Sequence, residues 1–274
     1  MINMVKKYSK EEIELFEKLR LNRTHDVETF KKRAHRQYMD GIINKYSESA
    51  HFIYELLQNA DDSEATKVEI IVADSYMIFK HNGKQRFTLT DVDDEEDETK
   101  VQGDINAITG TGFSTKDGNG AENKIGKFGI GFKAVFQYTD EPYIYDEPYC
   151  FKLVDKIVPH LLYEDHPLRG KNETMFYLPF NNSSDAYNKI IGRLTTMTNP
   201  ILFLHNIEDI SWKIEGQDHK TTFYKHVESS FTDKLFPDIR CEQLLCGSSQ
   251  SEQRVWHFSR IVPIEGVTQS ISVI

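Results

Sequence analysis

The sequence predicts an α+β fold, and three observations carry that prediction. Apolar residues recur at helical spacing through the first sixty residues. After residue 67 several short stretches are rich in apolar and aromatic residues, as strands are. A further helical pattern at 184–196 is set among them. The 274 residues (31.9 kDa) allow one large domain, or one domain and part of a second, with a core that needs no disulfide or metal. Apolar residues at 39% and aromatic residues at 12% exclude a disordered chain. The formal charge of −10 argues against a chain that mainly coats nucleic acid or an anionic membrane. No apolar run approaches the roughly 18–20 residues of a membrane span, and Met1–Lys10 lacks the apolar centre of a signal peptide. Cys150, Cys241 and Cys246 form no paired framework, so a reducing cytoplasm is the expected compartment.

Along the chain, residues 10–21 and 26–40 read as two helices, the second carrying a basic cluster at Lys31, Lys32, Arg33 and Arg36 that reads as a solvated face. Residues 45–62 are the clearest helix. Lys67–Ala73 and Tyr76–Lys80 read as strands joined at Asp74-Ser75, and residues 86–90 as a third strand after an Asn82-Gly83 turn. Asp91–Glu98 has seven acids in eight residues and is expected to be a solvated loop, because like charges repel. Residues 103–131 hold about half of the 15 glycines and read as one long mobile loop, from which a helix at 128–138 departs. Strands are expected at 143–145, 149–154 and 173–180, and a helix at 184–196 that ends before Asn199-Pro200. Beyond Ile207 the strands 207–214, 221–227 and 254–264 follow, while Ser270–Ile274 reads as a strand without a partner. The expected division is an N-terminal helical extension (1–25), a main domain (26–215) and the start of a β-rich segment (216–274), all of it an N-terminal piece of something longer.

The helix 45–62 has two faces. With Glu55 at zero and about 100° per residue, Asn59 falls near 40° and Asp62 near −20°. Tyr46, Ala50, Ile53, Leu57 and Ala60 lie on the opposite side and face a core. A solvated face usually favours Lys and Glu over Asn and Asp. A carboxylate and a carboxamide one turn apart suit a chemical role instead. The carboxylate can take a proton from water, and the carboxamide can hold Mg²⁺. Downstream, Gly126-Lys127-Phe128-Gly129-Ile130-Gly131-Phe132 opens the expected helix at 128–138 with bare backbone N–H groups, an arrangement suited to phosphate. Just upstream, Ser114-Thr115-Lys116 offers hydroxyls and a cation beside flexible glycines. No strand directly precedes the glycines, which excludes a dinucleotide fold. Lys127 is followed by Phe128, which excludes a Walker A loop.

These pieces in this order resemble the GHKL ATPases, the superfamily of gyrase, the large heat-shock chaperone, histidine kinases and the mismatch-repair ATPases. The wording is most similar to the sacsin and chaperone branch: Glu-Leu-Leu-Gln-Asn-Ala-Asp-Asp at 55–62, Gly-Lys-Phe-Gly-Ile-Gly-Phe-Lys at 126–133 and Phe-Tyr-Leu-Pro at 176–179. The resemblance covers about residues 30–215. It implies a Bergerat-type two-layer sandwich, a mixed and mostly antiparallel sheet covered by helices on one face. It implies ATP with Mg²⁺: Glu55 as general base, Asn59 as metal ligand, Asp62 and Thr174 near the nucleobase. Gly126, Lys127, Phe128, Gly129, Ile130, Gly131 and Phe132 would form a lid over the phosphates, with Ser114, Thr115 and Lys116 closing beside it. One motif departs. Where the family has Asp-x-Gly, this chain has His81-Asn82-Gly83, so His81 or the Asn82 carbonyl takes the place of the acid that receives the adenine amino group. A nucleotide-dependent homodimer and coupling to downstream domains are implied partners; nucleic acid is not. Two readings stay open, an ATPase and an ATP-binding switch with little turnover.

Overall fold

The computed structural model describes residues 5–30, 52–95, 97, 99–110, 130–232, 238–248, 251–264 and 267–273. The chain opens with α1 (Lys10–Phe30), entered through a reciprocal cap: Glu12 N–H donates to Ser9 Oγ (3.1 Å) and Ser9 N–H to Glu12 Oε2 (2.7 Å). The expected break at 22–25 is absent. Arg23, buried against Glu95, Thr109 and the Asn106 carbonyl, anchors that turn, and such tertiary contact outweighs weak local propensity. The basic cluster at 31–36 lies outside the described residues. The second helix, α2 (Phe52–Asp62), is the described part of the expected helix 45–62.

β1 (Lys67–Val72) and β2 (Tyr76–His81) form the expected hairpin, with Val72 opposite Met77 and Val68 opposite His81. The strand expected at 86–90 is not formed. Phe87 N–H turns aside to Asp146 Oδ2 (2.8 Å), and Thr88 and Thr90 hydrogen-bond Asp104 and Asn106, the start of a short helix α3 (Asp104–Thr109). The expected long loop therefore begins with a helix; its remainder, 111–129, lies outside the described residues. The acidic segment is also more ordered than expected. A 3₁₀ turn at Val92–Asp94 is held by Lys18 on Asp91 (2.6 Å) and Asp93 (2.5 Å), by Lys100 on Asp94 (2.6 Å) and by Arg23 on Glu95. Cations from α1 and the following loop relieve the repulsion that the sequence alone implied.

Ile130–Gln137 forms a 3₁₀ helix, shorter and tighter than the expected α-helix. Then come β3 (Tyr143–Tyr145), β4 (Cys150–Val154), the unanticipated β5 (Val158–Leu161), β6 (Thr174–Pro179) and α4 (Ser183–Thr196). β7 (Asp209–Ile214), β8 (Lys220–Thr232), β9 (Ile239–Ser248, also unanticipated), β10 (Glu252–Ile264) and β11 (Val267–Val273) complete the chain. One mixed sheet orders the described strands as β11-β10-β9-β8-β7-β1-β2-β6-β3-β4-β5. β1 and β7 run parallel and every other described pair is antiparallel. β11, expected to lack a partner, pairs with β10, and β8–β11 continue the sheet beyond β7.

Period-two alternation sorts the central strands onto two faces. Val68, Ile70, Val72, Met77, Phe79, Phe176 and Leu178 pack with Phe16, Leu19, Ile53, Leu57, Phe132 and Ile190 from the helices. Ile71, Ile78, Tyr145 and Met175 form a smaller cluster on the other face, among tyrosines. The helices thus cover one face among the described residues, and the fold is α+β with a mixed sheet. No described helix is long and apolar enough to cross a membrane.

Candidate functional site

α2 is placed by its apolar stripe. Phe52, Ile53, Leu56, Leu57 and Ala60 are buried, and Arg193 of α4 lies over the Tyr54 ring at 4.8 Å. The burial is wider than the two-faced reading, because Asn59 (5% exposed) and Asp61 (5%) are covered too. Glu55 is half-buried and Asp62 exposed. No side-chain hydrogen bond joins the Glu55 carboxylate or the Asn59 amide to another described residue. Asp61, not singled out by sequence, is saturated. Its Oδ1 accepts from Asn206 N–H (2.6 Å) and Ile207 N–H (2.9 Å), and its Oδ2 from His205 N–H (2.8 Å). That clamp fixes the end of α2 against the chain entering β7. On the helical wheel Asp61 falls near 240°, at the edge of the apolar face, while Asp62 falls on the polar side; what the local pattern does not supply is the backbone of residues 205–207 that Asp61 meets.

Beyond α2, a small polar cavity of about 10 Å³, room for about one water, is lined by Ser63, His81, Gln85, Arg86, Phe87, Asp104 and Thr174. Two of the predicted residues meet there. His81 ends β2 and Thr174 opens β6, and the register sets them opposite each other. Gly83 adjoins them: a Cβ on it would come within 2.8 Å of His81 Nδ1 and 2.9 Å of the Ser63 carbonyl, so the turn needs glycine. Asn82 turns away, its carbonyl oxygen accepting from Thr66 N–H (3.0 Å) and Lys67 N–H (2.8 Å) and its amide donating to Thr66 Oγ1 (2.9 Å). Its acceptor capacity is used in framing the hairpin.

The imidazole of His81 is buried and stacks on Phe176 (6.4 Å between centroids, 24° between planes). Burial, with a smaller push from the Arg86 guanidinium, holds its pKa down to about 3. Its Nδ1 accepts from Gly83 N–H at 3.1 Å. Behind it lies a network that sequence reading missed. Asp146, fully buried, accepts from Thr174 Oγ1 (2.9 Å), Arg86 Nη1 (3.1 Å) and Phe87 N–H (2.8 Å), and Arg86 Nη2 donates to the Asn172 carbonyl (2.8 Å). Burial raises the Asp146 carboxyl pKa and those donors oppose the rise. No pattern in the chain joins positions 86, 146 and 174; the pairing of β6 with its neighbours does. Lys133, within the 3₁₀ helix, is buried with its ammonium on the Ile108 carbonyl (3.3 Å), and burial lowers its pKa to about 8.

Of the lid residues, Ile130, Gly131 and Phe132 open the 3₁₀ helix, with Phe132 buried against Phe176 (5.9 Å). Ser114, Thr115, Lys116, Gly126, Lys127, Phe128 and Gly129 lie outside the described residues.

Comparison with known proteins places this arrangement. Residues 32–176, just over half of the chain, match the family described as Sacsin domain. The chain belongs to the Sacsin domain family. The matched span holds α2, the hairpin β1–β2, the 3₁₀ helix and the first residues of β6, and hence Glu55, Asn59, His81 and Thr174. The chain is 35% identical over 113 residues to Protein NO VEIN of Arabidopsis thaliana, which takes in 39% of this chain and 4% of that protein. It is 30% identical over 113 residues to Sacsin of Homo sapiens, taking in 37% of this chain and 2% of that protein. The Sacsin-domain chain therefore spans a small part of the length of both relatives.

Proposed function

We propose that this Sacsin-domain chain is a GHKL-type module with a Bergerat-like fold that binds ATP with Mg²⁺ and hydrolyses it. One observation carries the reading. α2, rigidly packed and clamped at Asp61, presents Glu55 and Asn59 one turn apart with no partner among the described residues. An amide oxygen held on a packed helix suits a metal ion that keeps waters and phosphate oxygens as its other ligands. The donor set fits the group: Asn59 holds Mg²⁺, which neutralises phosphate charge when bound, while Glu55 orients the attacking water and accepts its proton as the water oxygen bonds the γ-phosphorus and ADP leaves. The glycines at 126, 129 and 131 supply backbone donors to the phosphates. His81, Gly83 and Thr174 form the wall toward the base, with Asp62 near the mouth.

The GHKL resemblance adds the rest of the proposal: lid closure coupled to a nucleotide-dependent homodimer and to downstream domains, in the cytoplasm, where the free and buried Cys150, Cys241 and Cys246 remain reduced. The alternative, a switch that binds ATP with little turnover, is favoured by the departure at His81. The test is calorimetric titration of ATP into the full chain with and without Mg²⁺, on wild type and Asn59→Ala. The expected result is at least tenfold weaker binding for Asn59→Ala with Mg²⁺ present and little change without it. Equal weakening in both conditions assigns Asn59 to packing and removes the metal from it.

A further inference from the structure

The polarity of the cavity wall is set by hydrogen bonds already made. Gly83 N–H donates to His81 Nδ1 at 3.1 Å, so Nδ1 carries no proton and the single proton of the buried neutral ring sits on Nε2. That Nε2–H has no acceptor among the described residues. Thr174, which the GHKL resemblance turns toward the base, gives its hydroxyl proton to Asp146, and Ser63 gives its own to the Asn59 carbonyl (2.8 Å). His81 is therefore a donor where the superfamily has an acid that only accepts. Asp104 lines the same cavity. Its Oδ2 accepts from Thr88 N–H (3.0 Å) and Thr88 Oγ1 (2.7 Å), and its Oδ1 has no partner among the described residues.

We propose that this chain reads the edge of adenine with a donor–acceptor pair, His81 Nε2–H donating to N1 and Asp104 Oδ1 accepting from the 6-amino group. The inference rests on the ATP-binding reading above. It explains how a base is recognised without the family's acid: the acceptor has moved from the end of β2 to the first residue of α3. A cavity with room for about one water admits a hydrogen-bonding edge and not a whole ring. Guanine presents a donor at N1 and an acceptor at position 6, so both contacts become repulsive, the stronger form of discrimination.

The experiment is a calorimetric series on the full chain with Mg²⁺: ATP, 1-deaza-ATP, purine riboside triphosphate (which lacks the 6-amino group) and GTP. The expected losses relative to ATP are at least tenfold for each of the first two analogues and at least a hundredfold for GTP. His81→Phe, which keeps the stack on Phe176, is expected to bind ATP and 1-deaza-ATP equally. Asp104→Asn is expected to bind purine riboside triphosphate at least as well as ATP. If a variant does not fold by circular dichroism, the wild-type series decides alone. ATP binding with no loss for 1-deaza-ATP, or GTP binding as tight as ATP, overturns the pair while leaving the nucleotide reading intact. No binding of ATP or GTP overturns that reading, and this one with it.

Discussion

Two polar sides of α2 differ in a way that separates holding a fold from using it. On one side, Asp61 is buried and each of its carboxylate oxygens receives backbone N–H groups from residues 205–207. On the other, Asn59 and Glu55 belong to the same rigid helix yet have no partner among the described residues. A buried polar group normally finds a partner within the protein. Where it does, as at Asp61 and at Asp146 with Thr174 and Arg86, the group belongs to the architecture. Asn59 and Glu55, with no such bond among the described residues, are open to a ligand from outside the chain.

Substitutions can break that contrast. The largest expected effect is at Glu55. Glu55→Gln keeps size and hydrogen bonding but removes basicity, so phosphate release should fall by about 10²–10⁴-fold while ATP affinity and thermal midpoint stay near wild type. Steady-state phosphate release and calorimetry on the same preparation check it; a variant that turns over like wild type removes Glu55 from the chemistry. If wild type binds tightly and does not turn over, the switch reading stands instead.

Asp61→Ala is expected to do the reverse. Three backbone N–H groups, that of Ile207 buried and those of His205 and Asn206 partly buried, lose their acceptor, a cost of about 3 kcal/mol in all. For a chain of this size the thermal midpoint should drop by roughly 6–12 °C, while the fraction that stays folded still binds Mg-ATP. A midpoint within about 2 °C of wild type, by calorimetric melting, would mean that the clamp contributes little to stability.

The smallest effect sharpens the contrast by pH. His81 titrates near 6.5 unfolded and near 3 folded, so between those values the unfolded chain binds a proton that the native chain does not. Its contribution is therefore fully present above pH 6.5 and is lost as pH falls toward 3, at no more than about 1.4 kcal/mol per pH unit. His81→Phe should flatten the decline in denaturant midpoint between pH 6.5 and 4. Over pH 5.5–8 the native imidazole stays neutral, so the share of ATP affinity that depends on His81 should not vary. An affinity term that follows a pKa near 6.5 and disappears in His81→Phe would contradict the burial of the ring.

How much was legible in the sequence varies with how local the cause is. The hairpin at 67–81 and the helix at 184–196 were readable because their patterns and turn residues are contiguous. β5 and β9 were not: Val158–Leu161 contains Pro159 and His160, and 239–248 is interrupted by charge at Arg240 and Glu242, so neither stands out without the neighbouring strand that pairs it. The strand expected at 86–90 failed for the opposite reason, because Asp146, about sixty residues away, captures the Phe87 N–H.

The candidate site divides along the same line. Glu55, Asn59, the glycines of 126–131 and Thr174 could be named from short motifs, since a helix turn or a glycine run fixes relative position by itself. Spacing alone determined that Glu55 and Asn59 share a face. Only the tertiary structure decided that Asp61 meets the backbone of residues 205–207, that Arg86 and Asp104 join His81 and Thr174 around one cavity with Asp146 bonded to Thr174, and that His81 Nδ1 is taken by the Gly83 N–H. Those outcomes depend on which strand lies beside which and on which hydrogens other groups have already taken. A linear pattern records neither, because contacts across 60 to 145 residues form only when the sheet and its covering helices close on one another.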